Sequence, residues 1–255
     1  MINVLFAGDI VGSMGCEFAR KAISRLKGQE KIDIVIANGE NSADGNGITR
    51  QSMEELFGFA DVITTGNHCF KRREFLPCYD ERDDLLRPAN YPEGVVGKGV
   101  CVLDKGAYSF AVVNIMGTAF MEPLNNPFEC IEELLGEIDT PNILVDFHAE
   151  ATSEKKAMGF FLEGKVSAVM GTHTHVQTAD EIILGGHTGY ITDAGMCGAE
   201  LSVLGVKSEL AIEKQRFKCP VKFAESDNPP FFCGVMLRID ERSGKTMEIK
   251  RIQIR

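Results

Sequence analysis

The stretch Ile2-Asn3-Val4-Leu5-Phe6-Ala7-Gly8-Asp9 decides how the chain folds, because it joins an apolar run to a glycine and a carboxylate. Such a run is typical of a strand buried on both faces of a parallel sheet. In an open α/β sheet the carboxyl ends of the strands share one edge, and ligands bind there. Four later apolar runs also end in metal-type side chains, at Gly39-Glu40-Asn41, Gly66-Asn67-His68, Asp146-Phe147-His148 and Gly171-Thr172-His173-Thr174-His175. The sequence therefore predicts that imidazoles, carboxylates and amides converge on one point, which favours a metal centre.

The length and composition are those of an ordinary globular chain. Its 255 residues can bury a large core, so we expect one domain over residues 1–255. No uninterrupted apolar run approaches the roughly 20 residues of a membrane-spanning helix. The first residues lack the basic and apolar regions of a secretory signal. These features predict a cytoplasmic protein without a membrane segment.

The charge and the cysteines restrict the classes of function. A net charge of -10 argues against capture of duplex nucleic acid, which needs a basic face. A nucleotide substrate remains compatible with this charge, because bound cations can make one cleft locally positive. The eight cysteines contain no Cys-x-x-Cys pair and no zinc-finger spacing, so we expect reduced thiols.

Residues 1–65 show the pattern of alternating strands and helices. Apolar runs predict strands at 2–7, 33–38 and 61–65, and helical spacing predicts helices at 18–26 and 52–59. The spacing Ser52-Met53-Glu54-Glu55 predicts a capping box that begins at Ser52.

The rest of the chain is richer in strands. We expect a hairpin within 100–115, a helix at 127–138, and buried strands at 143–148 and 166–170 around a helix at 153–162. Five more strands are predicted at 181–184, 188–192, 221–224, 232–240 and 247–254. A TIM barrel would keep alternating with helices to its end. The pattern instead predicts an α/β fold of two packed mixed sheets with helices outside.

Each polar segment taken alone has an ordinary structural explanation. A Gly-Asp pair is common in turns and helix N-caps, and a lone His-x-His pair is weak evidence for a metal. If residues 173–175 are extended, the imidazoles of His173 and His175 project from the same face. To explain the whole set without a bound metal, a ligand-type residue would have to follow each of the five strands by accident. The combined pattern therefore favours a site with two metals.

These residues resemble the calcineurin-like metallophosphoesterase superfamily, and more narrowly the bacterial YmdB-type phosphodiesterases. The resemblance implies an αββα sandwich of two mixed β-sheets flanked by helices, and it extends over nearly the whole chain. It is carried by Gly8-Asp9-Ile10-Val11-Gly12, Asn38-Gly39-Glu40-Asn41, Arg87-Pro88-Ala89-Asn90, and the segments 146–155 and 171–180.

Three positions depart from the general superfamily. The usual Asp-x-His is Asp9-Ile10-Val11 here, and the usual bridging aspartate is Glu40, followed by Asn41. Both changes are shared by the YmdB-like group, in which the amide oxygen of Asn41 can replace the missing imidazole. The acidic residue that usually follows Asn-His is Cys69, which removes a carboxylate that would orient His68.

The resemblance implies two bound cations. One is expected on Asp9, Glu40, Asn41 and His175. The other is expected on Glu40, Asn67, His148 and His173, so that Glu40 bridges the pair. His68 is left to protonate the leaving group as general acid, with metal-bound hydroxide as the nucleophile. The nitrogen and oxygen donors favour iron or manganese at least as much as zinc, and the resemblance favours iron.

The function implied by the resemblance is hydrolysis of small phosphodiesters, above all 2′,3′-cyclic nucleotides such as 2′,3′-cAMP, to nucleoside monophosphates. Two alternatives stay open: a phosphomonoesterase or protein phosphatase, and a nucleotide-binding regulatory protein in which hydrolysis is incidental. A homo-oligomer is permitted but not required. Among neighbouring residues, Glu150 is either an acceptor beside the ligands or a solvated loop residue. Thr172 and Thr174 are expected to pack or to bond to the backbone.

Overall fold

The computed structural model describes residues 1–255 and contains thirteen strands and six α-helices. The strands in chain order are β1 (Ile2–Ala7), β2 (Asp9–Ile10), β3 (Ile34–Asn38), β4 (Val62–Thr64), β5 (Val100–Asp104), β6 (Ser109–Met116), β7 (Ile143–His148), β8 (Ala168–Thr172), β9 (Ile182–Leu184), β10 (Thr188–Ile191), β11 (Met196–Ala199), β12 (Pro230–Ile239) and β13 (Thr246–Ile254). The helices are α1 (Gly12–Gln29), α2 (Arg50–Phe57), α3 (Cys78–Glu81), α4 (Pro127–Glu137), α5 (Thr152–Phe161) and α6 (Ser208–Phe217), and a 3₁₀ turn covers Arg73–Phe75.

The strands form two mixed sheets. The first has the order β2-β11-β12-β1-β3-β4, with β13 also paired to β12. The second has the order β5-β6-β7-β8-β10-β9. Strands β1, β3 and β4 run parallel in the first sheet, and β6, β7, β8 and β10 run parallel in the second. The antiparallel partners lie at the flanks of these parallel sets.

The core has three layers, because successive residues of a buried strand face opposite sides of its sheet. In β1, Val4 and Phe6 lie in the cluster between the two sheets, where they meet residues such as Leu144 of β7. The alternate residue Leu5 lies in a second cluster beneath α1 and α2. A third cluster joins the outer face of the second sheet to α4 and α5. The predicted αββα sandwich of two mixed sheets is confirmed.

The helices form for local reasons that the sequence shows. Helix α1 buries Cys16, Ala19, Ile23 and Leu26, which recur every three or four residues and so share one face. Helix α4 begins after Asn126, whose side chain accepts a hydrogen bond from the backbone N–H of Phe128, with a proline at the first helical position.

Three predictions of secondary structure were wrong in detail, and four elements were missed. The capping box lies three residues earlier than predicted, since Thr49 is the N-cap of α2 and Ser52 its reciprocal partner. Residues 221–224 form no strand, and Glu225 makes only an isolated bridge to Val206. Strands β2 and β11 and helices α3 and α6 were not predicted. Helix α1 begins at Gly12, six residues before the predicted start.

The remaining expectations concern cysteines and membranes. All eight cysteines are free thiols, as their spacing predicts. No helix combines the length and the apolar character needed to cross a bilayer.

Candidate metal centre

Five strand ends from both sheets meet at one edge of the sandwich, as the sequence predicts. Asp9 follows β1, Glu40 follows β3, and the pair Asn67 and His68 follows β4. From the second sheet, His148 ends β7, and His173 and His175 follow β8. The side chains of Asp9, Glu40 and His148 are completely buried. All eight predicted site residues are therefore brought together.

One half of the cluster surrounds Nε2 of His148. This nitrogen lies 3.0 Å from Oδ1 of Asn67, 3.1 Å from Nδ1 of His173 and 3.2 Å from Oε1 of Glu40. The ligand atoms of Glu40, His148 and His173 all lie within 4.8 Å of one another. Nε2 of His148 and Nδ1 of His173 face each other, and only one proton fits between them. When both nitrogens are unprotonated, a cation is the partner that can accept both lone pairs. This half has the donor types of a divalent-metal site.

The other half lies between Asp9, Asn41 and His175. Nε2 of His175 is 3.6 Å from Oδ1 of Asp9 and 3.2 Å from Nδ2 of Asn41. Oδ1 of Asp9 is buried and has no hydrogen-bond partner. A buried carboxylate oxygen without a partner carries a large desolvation cost, which a cation would offset. The residues present therefore fit a second cation, with Glu40 between the two halves.

The amide of Asn41 connects this half to His68. Its Nδ2 donates to Oε1 of Glu40 at 3.1 Å, and its Oδ1 lies 2.8 Å from Nδ1 of His68. The His68 ring is partly exposed and lines the adjoining cleft. Cys69 does not orient this ring, because its buried thiol contacts the hydroxyl of Tyr91 at 3.6 Å.

The buried charges control the protonation of the histidines. Burial raises the pKa of Glu40, but His148 and His68 outweigh this effect and hold it well below its usual value. Burial lowers the pKa of His148, but the Glu40 carboxylate, followed by Asp9, raises it to about 9. Burial and then the neighbouring His148 lower the pKa of His173 to about 4. Burial also lowers the pKa of His175, but Asp9 outweighs this effect and raises it. Without a cation, protons on these histidines thus offset the carboxylates, and a cation would take their place.

A chain of hydroxyl and carboxylate groups orients His148. Nδ1 of His148 lies 2.9 Å from Oγ1 of Thr172, and that hydroxyl donates to Oδ1 of Asp146 at 2.6 Å. Since the single hydroxyl proton points to Asp146, Nδ1 of His148 is the donor to Thr172. Nε2 is thereby directed to the cluster, as is usual for metal-binding histidines. The expectation that Thr172 packs or bonds to the backbone was wrong.

The segment from His173 to His175 is a strained turn and not the extended segment considered for it. His173 has φ 94° and His175 has φ 63°, values that non-glycine residues rarely adopt. The backbone N–H of His173 donates to Oδ2 of Asp9 at 3.1 Å. The N–H and the hydroxyl of Thr174 donate to Oδ2 of Asp193 at 3.1 and 2.7 Å, so Thr174 also bonds to a side chain, contrary to expectation.

Asp193 is a residue that the sequence reasoning missed. It is buried beside Lys155, whose Nζ lies 2.8 Å from Oδ2 of Asp193, and both side chains are almost completely inaccessible. The signal that could have found it is the one used for the ligands, because Asp193 follows the predicted strand 188–192. Together these contacts hold the turn in its unusual conformation.

Glu150 contacts the cluster through His173. Its Oε2 lies 3.0 Å from Nε2 of His173, whose Nδ1 faces His148. Both possibilities considered for Glu150 apply, since it accepts from His173 and is also a loop residue whose side chain is 51% exposed.

A cleft of about 470 Å³ opens from the cluster, with His68, His173 and His175 among its lining residues. This volume lies within the range of cavities that bind small molecules. A small molecule in the cleft can therefore reach the ligand-type residues.

The chain is similar to known proteins over nearly its whole length. The family described as YmdB-like protein matches residues 5–252. The 2′,3′-cyclic-nucleotide 2′-phosphodiesterase of Bacillus subtilis (strain 168) is 42% identical over 256 residues, which cover 99% of this chain and 97% of the relative. A crystal structure of a hypothetical protein from Thermus thermophilus is 36% identical, with a TM-score of 0.94 and 99% of each chain covered. A crystal structure described as a novel phosphatase from Mycoplasma pneumoniae is 32% identical, with a TM-score of 0.95 over 99% of this chain and 93% of that one. The chain belongs to the YmdB-like family.

Proposed function

We propose that the protein hydrolyses small phosphodiesters, with 2′,3′-cyclic nucleotides such as 2′,3′-cAMP as its substrates and nucleoside monophosphates as products. The full-length similarity to the Bacillus subtilis 2′,3′-cyclic-nucleotide 2′-phosphodiesterase supports this class of substrate. The observation that carries the proposal is the convergence of buried Asp9, Glu40 and His148 with two further histidines at the mouth of a cleft. Such a set of nitrogen and oxygen donors suits metal-assisted hydrolysis.

Two divalent cations fit the two halves of the cluster. Asp9, Glu40, Asn41 and His175 would hold one, and Glu40, Asn67, His148 and His173 the other, with iron first and manganese or zinc as alternatives. When bound, such a pair supplies an activated water, a contact for a phosphate oxygen and stabilisation of in-line displacement at phosphorus. Two ions against the ionised carboxylates of Asp9 and Glu40 leave a charge of about +2, which attracts an anionic phosphodiester despite the acidic surface.

The chain itself buries Asp9, Glu40 and His148 and fixes the orientation of the histidines. Thr172 and Asp146 direct Nε2 of His148 to the cluster, and Glu150 does the same for Nδ1 of His173. Asp193 holds the strained turn that carries the last two histidines. Ligands held in this way would fix the position of a bound phosphodiester relative to the groups that act on it.

We assign the role of general acid to His68. A histidine that acts as a general acid starts as the imidazolium, with a proton on each ring nitrogen. Nδ1 of His68 faces Oδ1 of Asn41 at 2.8 Å and Oε1 of Glu40 at 3.2 Å, and these oxygens can accept its N–H. The proton on Nε2 passes to the departing ribose oxygen as the bond from phosphorus to that oxygen breaks, and the ring is left neutral. A proton transfer of this kind contributes about 10²- to 10⁴-fold to a rate.

The experiment is an assay of the purified protein on 2′,3′-cAMP, 3′,5′-cAMP, bis-p-nitrophenyl phosphate and p-nitrophenyl phosphate, before and after treatment with a chelator. We expect turnover of 2′,3′-cAMP and of the diester, loss of both with chelator, and recovery with iron or manganese. Preferred turnover of p-nitrophenyl phosphate would instead identify a phosphomonoesterase. Nucleotide binding without turnover would favour the regulatory alternative.

A further inference from the structure

The cleft beside the metal centre has two walls, and each begins at a site histidine. On one side, Nδ1 of His175 lies 3.3 Å from the carbonyl of Leu204, which starts the segment 204–206. On the other side, the backbone N–H of Lys71 donates to the carbonyl of His68 at 3.1 Å. Val11 forms the floor, since a Cβ at Gly205 would lie 2.6 Å from its Cγ1. A molecule held at the cluster therefore extends along these walls.

The wall that starts at His175 continues into Phe223 and Glu225. Glu225 bridges to Val206, and the N–H of Lys207 donates to the carbonyl of Ala224 at 3.0 Å. Phe223 is half-exposed and lines the cleft together with Glu225. An apolar ring and a carboxylate are thus fixed next to each other, beyond the histidines.

The carboxylate of Glu225 lacks a partner within the protein. Its Oε1 is buried and makes no hydrogen bond. The opposite wall differs, because Nη2 of Arg72 pairs with Asp44 at 2.9 Å. An ionised carboxylate only accepts hydrogen bonds, so the missing partner is a donor. Glu225 lines the cleft, so a ligand there can donate a hydrogen bond to its carboxylate.

We propose that Phe223 and Glu225 form a nucleoside subsite that determines specificity, which rests on the function proposed above. The cyclic phosphate occupies both the 2′ and the 3′ oxygens, so the remaining donors of adenosine 2′,3′-cyclic phosphate are its 5′-hydroxyl and the amino group of its base. One of them donates to the carboxylate of Glu225, which lines the cleft, and the base lies against the ring of Phe223, as bases stack on exposed aromatic side chains. Bis-p-nitrophenyl phosphate has no such donor, so Glu225 distinguishes the two substrates.

The test compares kcat/KM for 2′,3′-cAMP and for bis-p-nitrophenyl phosphate in the wild type and in Glu225→Ala and Glu225→Gln. Loss of a hydrogen bond to a charged group should reduce the ratio of the two kcat/KM values by about tenfold or more in Glu225→Ala, mainly through KM for the nucleotide. Phe223→Ala should reduce the same ratio. Glu213→Gln, on the exposed face of α6, is the matched control and should leave the ratio as in the wild type.

Two substrate analogues identify the donor. Adenosine 2′,3′-cyclic phosphate without its 5′-hydroxyl and purine riboside 2′,3′-cyclic phosphate, which lacks the amino group, each remove one candidate. One analogue lacks the group that donates to Glu225. For that analogue, the KM of the wild type should equal the KM of Glu225→Ala for 2′,3′-cAMP. The KM for the same analogue should not increase further in Glu225→Ala.

The possible failures are distinguishable. If the wild type hydrolyses neither substrate, the proposed function fails, and the subsite fails with it. If it hydrolyses both and the ratio stays unchanged in folded Glu225→Ala and Glu225→Gln, the subsite is overturned and the phosphodiesterase remains. Wild-type KM values for both analogues equal to that for 2′,3′-cAMP would overturn the assigned contact in the same way.

Discussion

Substitution of Asp193 by asparagine should destabilise the protein strongly, although Asp193 is not among the proposed ligands. The change removes the charge that faces the buried ammonium of Lys155 at 2.8 Å. Breaking a buried ion pair from one side costs about 3–5 kcal/mol, because an uncompensated charge remains. In a chain of this size, about 1 kcal/mol corresponds to a Tm change of about 2–4 °C, so we expect a decrease of roughly 6–20 °C.

The assay is thermal unfolding, with Asp227→Asn as the control. Asp227 also pairs with a lysine, Lys207, at 2.7 Å, but it lies on the surface, and this variant should melt at the wild-type temperature. A double variant, Lys155→Met with Asp193→Leu, should recover part of the stability because it removes both charges. This double variant should nevertheless bind less metal than the wild type, since the N–H of Thr174 has lost its acceptor. Equal Tm values for Asp193→Asn and Asp227→Asn would refute this reasoning.

Three further predictions concern the cluster itself. His68→Ala should keep its metal and its fold but lose about 10²- to 10⁴-fold in kcat on 2′,3′-cAMP, and a normal kcat would contradict the role of His68. Glu150→Gln weakens the acceptor for Nε2 of His173 and should lower metal affinity by about 10- to 100-fold, measured by competition with a chromogenic chelator; unchanged affinity would show that this contact is incidental. Gly66→Ala would place a Cβ against Nε2 of His148 and Oε2 of Glu40, so metal content should fall, whereas Gly28→Ala, with open space around it, should retain it.

The sequence predicted the sandwich because two features identify its central strands: an apolar run, and a polar residue near the end of that run. The runs that became β1, β3, β7 and β8 are mostly apolar, and a polar residue of the site lies at the end of each run or just after it. Hydrophobic burial and the common edge of parallel strands then suffice to place these residues together. The prediction of one domain over residues 1–255 stays a prediction.

The elements that were missed depend on tertiary contacts. Strand β11 covers four residues of mixed character, and its pairing with β2 and β12 positions it more than its own composition does. Residues 221–224 have the apolar pattern of a strand, but the only pairing beside them is the isolated bridge between Glu225 and Val206, and Phe223 and Ala224 line the cleft. Thr49 and Ser52 are both residue types that cap helices. In the structure Thr49 is the N-cap of α2, and Ser52 accepts the reciprocal bond from the backbone N–H of Thr49.

The residues that orient the ligands were harder to predict than the ligands. The positive φ values at His173 and His175 have no signature in the sequence, because glycine usually marks such a conformation. They persist since Asp9 and Asp193 fix the turn from two sides. The bond from Thr172 to His148 likewise requires β7 and β8 to be paired in the observed register.

The most direct test of the metal centre is the metal content of protein purified without chelator, measured by elemental analysis for the wild type and for Glu40→Gln. The proposed bridge predicts two equivalents of divalent transition metal per chain in the wild type. It also predicts a loss from both halves in Glu40→Gln, because Glu40 lies between them. A folded wild type that binds no such metal, even when iron or manganese is added, would contradict the proposal.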